Sequence, residues 1–210
     1  MEERRRKIEE YFRNNMGIYI LIAALFTGGV LAGALSLRGL GEEQLLQLNR
    51  YFMVLAEGLQ DCSGTEQGAI FRQSLHINFR YLLLISFLGL FPFGFPLIAG
   101  LVGLRGFSLG FTVAFLVRRN SLRGVLFAAG AVLPHNLILI PAVILGSVTA
   151  FSLSWFRLRC ALERRPRPLR EQLGPYLLIL LLAAVLMGAA ILVEAYISPL
   201  FVKWLIPVIQ

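Results

Sequence analysis

The chain has 210 residues, 57% of them hydrophobic and only 15% charged, with a formal net charge of +8. A soluble domain would carry about a quarter charged residues, whereas here the apolar residues run in stretches of the roughly 20 needed to cross a bilayer as helix. The basic excess sits in two segments flanking apolar spans, Arg4–Arg13 and Arg157–Arg170, which reads as topological anchoring on anionic lipid and excludes nucleic-acid binding.

A charged stretch precedes the first apolar run, and no convincing small-residue cleavage site follows it. That run is therefore expected to stay attached as the first helix, not to act as a cleavable signal. It covers residues 16–37 and carries Gly28, Gly29 and Gly33. The Gly29-x-x-x-Gly33 spacing permits close approach of two helix backbones, or reflects the ordinary tolerance of membrane helices for glycine.

Residues 42–60 have a different pattern. Leu45, Leu48, Phe52, Leu55 and Leu59 recur at alternating steps of three and four. Glu42, Glu43, Gln47, Asn49, Arg50 and Glu57 occupy much of the remaining surface. This is an amphipathic helix, too polar to span, whose stripe needs the bilayer surface, the other helices or a partner. Asp61–Gly68 reads as a turn-rich linker.

A second span is expected over residues 78–96, ending in Phe91-Pro-Phe-Gly-Phe-Pro96, which no helix crosses unbroken. The third, 97–117, carries Gly103, Gly106 and Gly110 and holds Arg105 near its start. Arg118, Arg119, Asn120 and Arg123 read as a short polar turn. A fourth span, 125–156, is interrupted by Pro134-His135-Asn136 and Pro141, after which Ala142, Gly146 and Ala150 repeat at four-residue steps. The fifth covers residues 175–197, and the tail Ser198–Gln210, with Lys203 and Trp204, reads as interfacial. Gly29, Gly33, Gly106, Gly110 and Gly146 are thus the expected helix-packing positions, within one bundle or across a homodimer. The expected fold is one all-α integral membrane domain of five helices, some broken, with an outer amphipathic helix.

Basic residues near the spans set orientation. The Arg157–Arg170 loop decides for a cytoplasmic N-terminus, with Arg105 counted on the inner side and the Arg118–Arg123 turn counting against it. The two cysteines, Cys62 outside and Cys160 inside, are then unable to pair with each other. They are also too few and too distant for a disulfide framework or a zinc site.

Intramembrane ionisable groups are functional candidates because they are costly to bury. His135, Glu194 and, at the outer edge, His76 stand out, and all three can face one outward-opening cavity. At a rise of 1.5 Å per residue, His135 would lie roughly 15 Å below the outer end of its span. They are weak metal candidates, since His-Glu-x-x-His is absent and Leu139 stands four residues after His135. The favoured reading is structural: Pro134 frees carbonyls that His135 and Asn136 satisfy. No phosphate loop and no serine with a His/Asp pair is present, so neither a catalytic site nor a cofactor is expected.

Asn14-Asn-x-Gly-Ile-Tyr19 before a Gly-rich span, the long outer loop, Phe91–Gly110 and Leu133-Pro-His-Asn-Leu-Ile-Leu-Ile-Pro-Ala142 occur in this order. Over about Arg13 to Ile197 the chain resembles the stage II sporulation protein M family of endospore-forming bacteria. The resemblance implies a non-enzymatic membrane scaffold that recruits the peptidoglycan-degrading stage II sporulation proteins P and D to the septal membrane during engulfment. Wider relatives often carry an acid in the turn after the Pro-His pair, which is Leu137–Ile140 here. For a scaffold, Glu43, Gln47, Arg50, Phe52, Leu55 and Glu57 form the expected interaction surface. The alternative is a channel or transporter component, since helices broken at Pro92/Pro96 and Pro134/Pro141 are of the kind that line transport sites.

Overall fold

Long apolar runs in a bilayer must satisfy every backbone N–H and C=O internally, and helix does so within each segment. The computed structural model describes residues 2–50, 64–131, 133–163 and 170–197, and among these no strand occurs. Helix α1 spans Glu2–Ser36 and ends in a 3₁₀ turn, Leu37–Gly39. Helix α2 is described over residues 42–50. Then follow α3 (Gly64–Gly89), α4 (Phe95–Ala131), α5 (Leu133–Leu162) and α6 (Arg170–Leu192), which closes in a π-helical turn, Val193–Ile197. The chain is an all-α membrane protein. Among the described residues four segments are long and apolar enough to cross: Asn15–Gly39, Phe95–Arg118, Pro134–Leu162 and Leu173–Tyr196. Helix α3 packs alongside them but carries Arg72, His76, Asn78 and Arg80 among its apolar residues.

Cross-helix contacts give each helix its direction. Asn15, the Leu90–Gly94 turn and Arg157 share one end of the bundle, through Ser152 Oγ to Asn15 Oδ1 at 2.7 Å and Arg157 to the Leu90 carbonyl. His135 and Glu194 share the other end. Helices α1, α4 and α6 therefore run one way, and α3 and α5 the other.

The most extensive contact joins α1 to α4, two parallel helices far apart in sequence. Four glycines form the seam. A Cβ on Gly29 would strike the Gly103 carbonyl, and one on Gly33 the Phe107 carbonyl. Reciprocally, Gly106 faces the Phe26 carbonyl and Gly110 the Val30 carbonyl. Backbone against backbone maximises dispersion where lipid offers no hydrophobic driving force. Helix α5 is the hub: 61% of its span is buried, against 17–33% for the other three. Its Gly146 lies against Leu82 of α3 and Ala183 of α6, and Ala150 meets Gly89.

The end of α3 needs outside help, because its last carbonyls have no intrahelical donor. Tyr176 Oη donates to the Ser86 carbonyl at 2.7 Å, and Ser154 Oγ to the Phe91 carbonyl at 2.7 Å. Arg157 takes the Leu90 carbonyl. Gly94 then closes the turn so tightly that a Cβ would strike the Leu88 carbonyl.

Several boundaries differ from the sequence reading. Helix α3 starts at Gly64, inside the expected linker, where Ser63-Gly-Thr-Glu66 has the Ser-x-x-Glu pattern of a helix start. The polar stretch Arg118–Arg123 is no turn: α4 continues through it to Ala131, since it contains neither proline nor glycine. Arg118 Nη1 donates to the Leu37 carbonyl at 2.9 Å, setting a cation on the C-terminal end of α1. Helix α5 thus starts at Leu133 instead of 125, and Pro134 sits in its first turn, where proline costs nothing. The rest of the expected amphipathic helix (Phe52, Leu55, Glu57, Leu59) and of the basic segment (Arg164, Arg165, Arg167), with Cys62 and the tail from Ser198, lies outside the described residues.

Adjacent glycines on α1 test the seam. No atom lies within 4 Å of a Cβ on Gly28, whereas Gly29 meets backbone. Gly29→Leu should lower the melting temperature in detergent by roughly 5 °C or more, as overpacking does. Gly28→Leu should leave it within about 1 °C.

Candidate polar cavity

Asn78 of α3 is buried, 4% exposed, and its own helix aims it. Its Nδ2 donates to the Ser74 carbonyl at 2.9 Å, which turns Oδ1 toward α4. Arg105 Nη2 donates to that oxygen at 2.6 Å. The same guanidinium lies 5.5 Å from the centroid of the Tyr81 ring, within cation–π range. Arg105 is ten residues past Phe95, roughly 15 Å along the helix. It therefore sits deep in α4 and not in an inner segment, because the turn before Phe95 places the helix start three turns earlier.

Helix α5 contributes His135 and Asn136 from its first turns, with Asn136 Nδ2 3.0 Å from His135 Nε2. His135 is thus near a helix end, which corrects its expected mid-bilayer depth, and Pro134 frees no mid-span carbonyls for it to satisfy. Glu194 comes from the π-helical turn after α6. Arg105, Asn78, His135, Asn136 and Glu194 line one cavity of ≈ 310 Å³, together with Ser74, Ser108 and Thr112. His76 stays outside it, on the exposed face of α3, its Nε2 3.4 Å from Arg80 Nη1.

Among the described residues the cavity therefore holds one permanent cation, one carboxylate, two amides, an imidazole and hydroxyls. An arginine at this depth costs about 2.5–3.5 kcal/mol to insert. The Asn78 bond and the Tyr81 face offset part of that cost. Among the described residues no three His, Cys, Asp or Glu side chains converge on a point that would hold a metal ion.

Comparison with protein families matches residues 11–199 to stage II sporulation protein M. The chain belongs to that family. The match spans the glycine seam and every residue of the cavity, so the member described here is a sporulation-family membrane protein throughout its bundle. No curated protein and no solved structure matches this family member.

Of the residues singled out in the sequence, Glu43, Gln47 and Arg50 are exposed on α2 and do not line this cavity. Asn78 and Arg105 are the functional candidates the sequence reading passed over. Their signal was an arginine three turns into an apolar helix.

Asn78 and Arg105 should behave as a unit. A double-mutant cycle of Asn78→Ala and Arg105→Ala, read by thermal unfolding in detergent, should give a coupling energy of about 1–3 kcal/mol. Arg118→Gln removes one charged cap and should cost only about 0.5–1 kcal/mol in the same assay.

Proposed function

We propose that this protein is a non-enzymatic scaffold that gathers peptidoglycan-degrading enzymes at the septal membrane during engulfment. The stage II sporulation proteins P and D are its partners on this reading. Family membership supports the process, and one structural observation supports the surface. Helix α2 follows the Arg118-capped end of α1 and turns Leu45 and Leu48 inward, half-buried. Glu42, Glu43, Gln47 and Arg50 stand exposed on its other side. The helix starts cleanly: the Gly41 amide donates to Gln44 Oε1 at 3.2 Å, and two acids occupy its first turn. A pre-formed polar face of this kind costs a partner little ordering entropy.

On this reading the N-terminus is cytoplasmic and the Glu194 end faces the outside. The Arg118–Arg123 stretch counted against that orientation, and of its arginines Arg118 is drawn to the Leu37 carbonyl at the end of α1. Arg157 and Arg159 remain at the inner end, where an impermeant thiol reagent on intact cells should leave Cys160 unlabelled.

Charge reversal at Glu43 with Gln47→Lys should lower co-purification of the wall hydrolases several-fold at unchanged protein level. Leu45→Ala with Leu48→Ala should instead lower the protein level. Normal recovery with both pairs of changes would remove α2 from the recruitment surface. The polar cavity favours a second reading, a transport component. Ion flux into proteoliposomes above that of empty vesicles would support it, and the scaffold reading expects none.

A further inference from the structure

Helices α3 and α4 are joined by a five-residue turn, Leu90–Gly94, yet they touch each other far less than each touches α5. They diverge from the turn toward the Glu194 end. The cavity is the wedge between them, with His135, Asn136 and Leu139 of α5 as its back wall. Its open side is flanked by exposed Ile77 on α3 and exposed Ser108 and Thr112 on α4. The wedge thus opens sideways, toward where lipid lies.

We propose that this wedge seats the zwitterionic headgroup of a phospholipid from the leaflet at the Glu194 end, with the phosphodiester on Arg105 and the ammonium toward Glu194. Three observations converge on that ligand. First, Arg105 gives one nitrogen to Asn78 and keeps the remaining donors of its fork, whose geometry matches phosphate oxygens. Second, among the described residues the cavity carries one charge of each sign, and Arg105 and Glu194 are not paired with each other. A lone anion would leave the carboxylate uncompensated, and a lone cation would leave the guanidinium so; a net-neutral ligand with both signs satisfies both.

Third, Ser108 and Thr112 are hydroxyls on a helix face otherwise presenting Leu104 and Phe107 to the surroundings. Their protons are spent on the Leu104 and Ser108 carbonyls, at 3.0 and 2.9 Å. What they offer outward is acceptor lone pairs, suited to an ammonium and not to a second phosphate. At ≈ 310 Å³ the cavity lies at the small end of ligand sites, the scale of a headgroup with its chains left in the bilayer.

The test is native mass spectrometry of the full-length protein, released from nanodiscs of equal parts phosphatidylethanolamine, phosphatidylglycerol and phosphatidylcholine. Phosphatidylethanolamine should be retained in preference to the other two. Arg105→Gln should lower retention of all three by about tenfold. Glu194→Gln should abolish the preference while retention persists, with an unchanged melting temperature. Should Arg105→Gln fail to accumulate, Glu194→Gln and Thr112→Val carry the test through the lipid ratio alone. Equal retention of the three lipids by the unaltered protein, or an unchanged ratio in Glu194→Gln, overturns the proposal. Displacement of the lipid by inorganic phosphate at equal concentration would assign the site to free phosphate and overturn the lipid source. A peptide found in place of lipid in protein from native membranes would overturn it as well.

Discussion

The bundle depends on one requirement, that no backbone carbonyl freed at a helix end be left bare in an apolar medium. Turn amides take some of these carbonyls, as Leu90 and Phe91 do for Phe87 and Leu88, and neighbouring helices lend side chains to others. Arg118 of α4 serves the end of α1, while Ser154 and Arg157 of α5 and Tyr176 of α6 serve the end of α3. These bonds cross between helices, so they do more than satisfy groups: they fix which helix lies beside which, and at what height. Arginine suits the task because it stays charged and reaches far on an apolar stem. Other serines and threonines bond their own preceding turn, as Ser86, Ser108 and Thr112 do.

Packing then divides the bundle into two regimes. Along the α1–α4 seam, glycines bring main chains together and leave no room for a side chain. Between α3 and α4 the helices part, and polar side chains occupy the gap. The dry seam and the wet wedge share α4: Gly106 and Gly110 face α1, whereas Arg105, Ser108 and Thr112 face the cavity. One helix therefore carries both the tightest contact and the most polar one, on opposite faces.

Much of this could be read from the residues, for identifiable reasons. Apolar run length announced helices and a membrane, and four-residue glycine steps announced close approach at Gly29/Gly33 and Gly106/Gly110. Which stripe meets which was not legible, because a stripe specifies a narrow surface and not its partner. The Pro134 break was ambiguous for a related reason. Residues 125–131 are as apolar as those that follow, so proline as a kink and proline as a helix start leave the same pattern. The true boundary moved His135 from mid-span to a helix end. Arg118 was opaque because its partner is a main-chain carbonyl, which has no letter in the sequence. Arg105 was legible and misplaced: the Pro92–Pro96 break fixes its depth once the count starts at Phe95.

The parallel pairing of α1 with α4 has a consequence for biosynthesis. The two glycine faces are separated by roughly 75 residues of chain, Gly29 to Gly103. At about 5–20 residues per second, α1 is in the bilayer some 4–15 s before its partner face is synthesised. During that interval its glycine stripe is an unmatched helix surface open to any other small-residue helix nearby. Antiparallel hairpins such as α3–α4 have no such delay, because their second helix follows at once. The slow step in assembling this bundle should therefore be the return of α4 to α1, and a membrane chaperone acting on the nascent chain would have α1 as its natural client.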